Sequence, residues 1–203
     1  MKITLLRHAQ VNEAYHKCYN GHIDIELSAK GKEEARHLAE HLRSEAYDAV
    51  FCSDLKRCRE TLEAFTLDAK PVYTRALREK SWGRHEGKTF NEIIESEDFI
   101  YEDFEQWINA LDGEKYPAYI RRVENFFKKF LPAKQAEALC NADVSLVNPY
   151  ENILVVTHAG VIRVLMHILQ KISLQEAFAK SFDYAHYISL DTDTWEFEEM
   201  QCV

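Results

Sequence analysis

Two histidines and two arginines stand just after short apolar, β-branched runs of this chain. Arg7 and His8 follow Lys2 to Leu6, Arg57 comes shortly after Ala49 to Cys52, and His158 follows Ile153 to Thr157. Such runs suit strands covered on both faces, and ligand sites of open α/β sheets form outside the carboxyl ends of strands. Taken singly, a strand-end histidine is most simply a structural residue. Taken together, the four side chains meet at one rim and suit phosphoryl transfer. Guanidinium forks match phosphate oxygens bidentately, and a neutral imidazole can attack phosphorus directly. A general acid is then required for the departing alkoxide. No Asp-rich or H-E-x-x-H arrangement points to a metal, and no cofactor is expected.

Each run is followed by a helical pattern. Ala35, Leu38, Ala39 and Leu42 form one stripe, with Ser28 as N-cap; Val161, Ile162, Leu165, Ile168 and Leu169 form another. After the second run, Ser53 is expected to cap a helix whose first turn carries Arg57. Thr157-His158-Ala159-Gly160 opens directly into a helix whose free N–H groups suit an anion. This alternation predicts an α/β fold, with a mostly parallel central sheet flanked by helices on both faces. Residues 89–131 carry little strand signal, and Tyr119, Val123, Phe126, Phe127 and Phe130 mark an amphipathic helix. They read as a helical insertion over the active-site end. Residues 132–152 read as a long connection, and Tyr187 to Leu190 and Trp195 to Phe197 as edge strands. His37 and His41 mimic the spacing of a metal pair but flank the apolar stripe and are expected on a solvated face.

The 203 residues predict one domain spanning 1–203, and 46% hydrophobic content is enough for a sizeable core. The formal charge of −9 gives no global field for nucleic acid or anionic lipid, so any anion must be gathered locally. Five scattered cysteines with no C-x-x-C pair disfavour structural zinc and a disulfide framework. Together with the lack of a long apolar run at the amino terminus or elsewhere, they place the chain in the cytoplasm, away from membranes.

With these residues in hand, the chain resembles the histidine phosphatase superfamily, the phosphoglycerate-mutase-like proteins, from Ile3 to about Leu190. The family's strand followed by R-H-G is matched by LLRHA at Leu5 to Ala9, and S-x-L-x-R-x-x-x-T by Ser53 to Thr61. The L-x-E and G-x-x-E-G segments are matched by Leu77 to Gly87, G-E-S by Gly113-Glu114-Lys115, and the last strand with H-G-G-x-x-R by Val155 to Arg163. The resemblance implies a phosphoglycerate-mutase-like fold and a metal-independent phosphomonoesterase of histidine acid phosphatase type. It makes His8 the nucleophile that becomes phosphohistidine, Glu79 the general acid and His158 a second, charge-stabilising histidine. Arg7 and Arg57 correspond to the phosphate clamp, with Asn20 and Ala159 as further substrate-binding positions.

Departures from the family pattern also carry expectations. Ala14 stands where the family usually has an asparagine that contacts phosphate, which implies the loss of one neutral hydrogen bond of about 1 kcal/mol. Asn12 does not align with that position. The chain is shorter than the mutase branch and is most similar to the small alpha-ribazole-phosphate phosphatases of cobalamin assembly. This implies hydrolysis of a small-molecule phosphate ester such as alpha-ribazole 5′-phosphate, by a monomer or homodimer. The alternatives are a phosphoglycerate mutase-type phosphotransferase and a phospho-ligand binding protein with weakened catalysis. Because the phosphate residues serve every such substrate, selectivity is expected from Tyr15, Tyr19, His22, Trp82, His85 and residues 99–116.

Overall fold

The computed structural model describes residues 1–96, 101–130, 149–194 and 196–198. Its five-stranded sheet is built from β1 (Lys2–Arg7), β2 (Ala49–Ser53), β3 (Val72–Thr74), β4 (Asn152–Thr157) and β5 (Tyr187–Asp191), in the order β3-β2-β4-β1-β5. The first four run parallel, and β5 closes one edge antiparallel to β1. The helices are α1 (Ala29–His41), α2 (Lys56–Leu62), α3 (Phe90–Ser96), α4 (Phe104–Ala110), α5 (Tyr116–Lys128), α6 (Ala159–Gln170) and α7 (Leu174–Ala179).

Alternation along the buried strands divides the core in two. Ile3, Leu5, Phe51, Ile153 and Val155 face one side, where Tyr119, Val123, Phe126 and Phe127 of α5 and Val161, Ile162 and Leu165 of α6 cover them. Leu6, Val50, Cys52, Leu154 and Val156 face the other, under Ala35 and Leu38 of α1 and Cys58 and Leu62 of α2. β1, β2 and β4 are therefore apolar on both faces, which is why their runs read as continuous rather than alternating. The sheet is flanked by helices on both faces, as expected.

The insertion differs from expectation in one respect. α5 lies on a sheet face, with Phe126 and Phe51 rings 5.6 Å apart, because its broad apolar stripe needs the sheet to cover it. Among the described residues of the insertion, α4 and the start of α5 reach the ligand end of the sheet. Tyr187 to Leu190 is the expected edge strand, whereas Phe197 makes a single bridge to Leu190, and Trp195 lies outside the described residues. Most of the connection at 132–152 also lies outside them. Among the described residues no helix is long and apolar enough to cross a membrane.

Ser28 caps α1 through the Gly31 N–H at 2.9 Å, and α1 then passes so close to the loop after β1 that a Cβ on Gly31 would meet the Gln10 carbonyl oxygen at 2.0 Å. A glycine inside a helix ordinarily costs about 1 kcal/mol relative to alanine. Here Gly31→Ala is expected to destabilise instead, by about 1–3 kcal/mol, because the rigid backbone must shift. Chemical denaturation checks the sign, and a raised midpoint would contradict the close approach.

Candidate active site

Register brings the two histidines together. β1 and β4 pair in parallel with Arg7 opposite Thr157, so His8 and His158 leave neighbouring strands at the same level, and the His8 N–H donates to the Thr157 carbonyl at 3.0 Å. Their rings meet edge to face with centroids 5.1 Å apart. α2 begins beside them, because β2 is the other neighbour of β4. Arg7, His8, Arg57, Glu79, His158, Ala159 and Asn20 all line one cavity of about 600 Å³.

Both rings are held in defined tautomers. Nδ1 of His8 lies 2.8 Å from the Ala9 carbonyl, which only accepts, so Nδ1 carries the proton and Nε2 keeps its lone pair. Burial, then Arg57 and Arg7, hold the His8 pKa well below the ordinary imidazole range. Arg57 Nε donates to His158 Nδ1 at 3.3 Å, so His158 carries its proton on Nε2 and donates it to Ser53 Oγ at 2.9 Å. Its pKa is likewise depressed, by burial first and then by Arg57 and His8. Ser53 is therefore not the expected helix cap. Leu55 takes the N-cap position without a side-chain bond, and the serine hydroxyl is engaged by the histidine. Cys58 packs on the same ring, its Sγ 3.5 Å from Nε2, with burial pushing its thiol pKa up to about 12.

Two cations, Arg57 buried and Arg7 half-buried, sit here with no carboxylate in ion-pair contact among the described residues. Arg57, 2% exposed, donates through Nη1 to the Ile23 carbonyl and through Nη2 to the Gly21 carbonyl, at 2.9 and 2.8 Å. With the His158 contact, three of its five N–H donors are used and two remain. Arg7 donates to the Phe182 carbonyl, lies 4.0 Å over the Tyr184 ring, and has a buried Nε with no partner among the described residues. Among those residues neither guanidinium pairs with a carboxylate within ion-pair distance. Burial lowers the pKa of both. Such an arrangement of donors suits a tetrahedral oxyanion.

Glu79 sits on the rim between β3 and α3. One carboxylate oxygen accepts from the Tyr119 hydroxyl at 2.7 Å and the Lys80 N–H at 3.0 Å, and the other from the Gly160 N–H of α6 at 3.0 Å. Its loop is clamped from two sides. Arg78 forms a bidentate pair with Asp54 at 2.6 and 2.7 Å. Arg122 pairs with Glu114 at 2.9 and 2.6 Å and donates to the carbonyls of Ala76, Arg78 and Glu79. Tyr119 is a functional neighbour that sequence reasoning placed only in the core. It does belong to the α5 stripe, and nothing in the spacing distinguishes a hydroxyl that reaches the site.

The loop after β1 brings Tyr19, Asn20 and Gly21 to the cavity, while Asn12 and Ala14 do not line it. Asn12 instead caps the short turn Glu13–Tyr15 through the Ala14 N–H. Asn20 uses its amide nitrogen on the Tyr15 carbonyl at 2.8 Å and buries an Oδ1 without a partner among the described residues. Of the expected selectivity residues, Tyr19, Trp82, Phe104, Trp107, Ile108 and Tyr116 line the cavity. Tyr15, His22 and His85 do not: His22 Nε2 bonds the Glu79 carbonyl, and buried His85 accepts from the Asp112 N–H. His37 and His41 are exposed, as expected.

Comparison with known proteins agrees with this geometry. The family model described as histidine phosphatase superfamily (branch 1) matches residues 3–202. The chain is 29% identical over 174 residues to an adenosylcobalamin/alpha-ribazole phosphatase of Escherichia coli, covering 82% of this chain and 77% of that protein. It is 28% identical over 177 residues to a broad-specificity phosphatase of Saccharomyces cerevisiae, covering 84% and 70% respectively. The crystal structure of an alpha-ribazole phosphatase from Shigella flexneri shares the fold, with a TM-score of 0.73 over 94% of this chain and 90% of that one, at 24% identity.

The depressed pKa values carry a sign that can be measured. Lowering the pH from about 8 to about 6 should leave both rings neutral, His8 as the Nδ1–H tautomer and His158 as Nε2–H, whereas an unperturbed imidazole titrates near 6.5. Nitrogen-15 spectra of the histidine rings check this, and titration of either ring near 6.5 would contradict the assignment.

Proposed function

The chain belongs to the histidine phosphatase superfamily, and from that premise we propose that it is a metal-independent phosphomonoesterase acting through a phosphohistidine. The observation that carries the reading is the neutral, tautomer-fixed His8 beside buried Arg57 and half-buried Arg7, neither of which pairs with a carboxylate among the described residues. Nε2 of His8 attacks phosphorus, the P–O bond to the alcohol breaks, and the leaving oxygen takes a proton from Glu79. Water then gives a proton back to Glu79 and attacks the phosphohistidine, which releases inorganic phosphate and restores His8. Arg7 and Arg57 neutralise charge on the transferring group, the task a metal performs elsewhere. His158 fixes Arg57 through Nδ1, and the Gly160 N–H at the start of α6 holds the Glu79 carboxylate.

For the substrate, the reading is a small phosphate ester, with alpha-ribazole 5′-phosphate as first candidate because of the similarity to alpha-ribazole phosphatases. The aromatic lining by Tyr19, Trp82, Trp107 and Tyr116 suits an alcohol that carries a flat ring. The similarity to a broad-specificity phosphatase supports a wider range. A screen of phosphate esters that includes alpha-ribazole 5′-phosphate and 3-phosphoglycerate separates the two, and activity should persist in a chelator.

Rapid acid-free quenching during turnover should trap an acid-labile, base-stable phosphoprotein at His8, and His8→Ala should abolish both trap and turnover. Near-wild-type turnover in that variant would sink the mechanism. Glu79 gives a second check, because a Cβ on Gly160 would lie 2.1 Å from its Oε1. Gly160→Ala must push the carboxylate aside, with kcat/KM expected to fall on the order of a hundredfold for a displacement of about an ångström. An unchanged kcat/KM would place the proton donor elsewhere.

A further inference from the structure

One loop orients Arg7. Between α7 and β5, the Phe182 carbonyl accepts from Arg7 Nη1, the His186 carbonyl accepts from the Arg7 N–H at 2.9 Å, and the Ala185 N–H donates to the His8 carbonyl at 3.3 Å. Ala185 does so at φ +55°, a left-handed conformation that an alanine holds only where its surroundings over-determine it. A single in-plane hydrogen bond leaves a guanidinium free to swing about that bond. Fixing its plane takes a second surface, and here that surface is the Tyr184 ring, whose centroid lies 4.0 Å from the guanidinium carbon. The same ring sits 5.6 Å from the His8 ring and lines the cavity, so it belongs to the phosphate end and not to the outer rim. Among the described residues its hydroxyl has no hydrogen-bond partner.

We propose that Tyr184 is a positioning residue for Arg7, its ring setting the guanidinium plane so that the N–H groups on the cavity side are held for the transferring phosphoryl group. The proposal rests on the reading of Arg7 as a phosphate ligand. It makes the aromatic face the required feature, and the hydroxyl dispensable. It also separates Tyr184 from residues that choose the alcohol, because a tilted Arg7 harms every phosphate ester alike.

Calorimetric titration with orthovanadate, together with kcat/KM for a minimal aryl phosphate and for the best substrate of the screen, tests it in Tyr184→Phe, Tyr184→Leu, Arg7→Ala and Arg7→Ala/Tyr184→Leu. Tyr184→Leu is expected to weaken vanadate about tenfold and to lower kcat/KM equally for both esters. Tyr184→Phe should restore both to within about threefold of wild type. With Arg7 already removed, Tyr184→Leu should cost nothing further. Full additivity of the two losses, unchanged vanadate affinity in Tyr184→Leu, or failure of Tyr184→Phe to restore it would overturn the proposal. If circular dichroism shows that Tyr184→Leu does not fold, Tyr184→Met takes its place in the same arms. Arg7→Ala that binds vanadate as wild type does would instead refute the phosphate-clamp reading itself, an outcome that the Arg7 arm alone reveals.

Discussion

Two guanidinium groups, Arg57 buried and Arg7 half-buried, line one cavity of this protein, and among the described residues they touch only carbonyls, a histidine nitrogen and an aromatic face. Removing one such charge from water costs several kcal/mol even after relaxation, and neutral acceptors return part of that. The chain as a whole carries a formal charge of −9, so the two cations owe nothing to its overall electrostatics. They set the local conditions for everything around them. They depress the pKa values of both histidines, which burial has already lowered, and so keep His8 neutral. Their remaining donors suit a doubly charged oxyanion.

The fold supplies that arrangement through register more than through any special motif. Parallel pairing of β1 with β4 puts His8 beside His158, and placing β2 on the far side of β4 brings α2, and with it Arg57, to the same end. Loops then fix what the strands have brought together. The loop after β1 supplies the Gly21 and Ile23 carbonyls that accept from Arg57, the loop before β5 holds Arg7, and α5 reaches over to hold Glu79 through Tyr119 and Arg122. Glu79, His8, Arg7 and Arg57 thus come from elements distant in sequence but adjacent at one sheet end.

Much of this was legible in the chain, for a physical reason. Strands buried on both faces leave continuous apolar runs, and the first polar residues after such runs, Arg7, His8 and His158, must emerge at the sheet end. Glu79 was not legible from spacing. It sits between Arg78 and Lys80 like any solvated charge, and only resemblance to a family singled it out. Ser53 misled, because a serine before a helix reads as a cap, whereas here a neighbouring strand brings a histidine that takes its hydroxyl first. Tyr119 and Tyr184 were invisible for opposite reasons. The first is hidden in a core stripe whose periodicity says nothing of its hydroxyl, and the second lies in a loop with no period at all.

Arg7 and Arg57 are read as a binding site for a tetrahedral oxyanion. Thermal unfolding with increasing tungstate tests it most directly, because a ligand bound only to the native state raises the melting temperature with its concentration. The account predicts a progressive rise in the wild-type protein and none in Arg57→Met. Equal rises in the two proteins, or no rise in either, would contradict it.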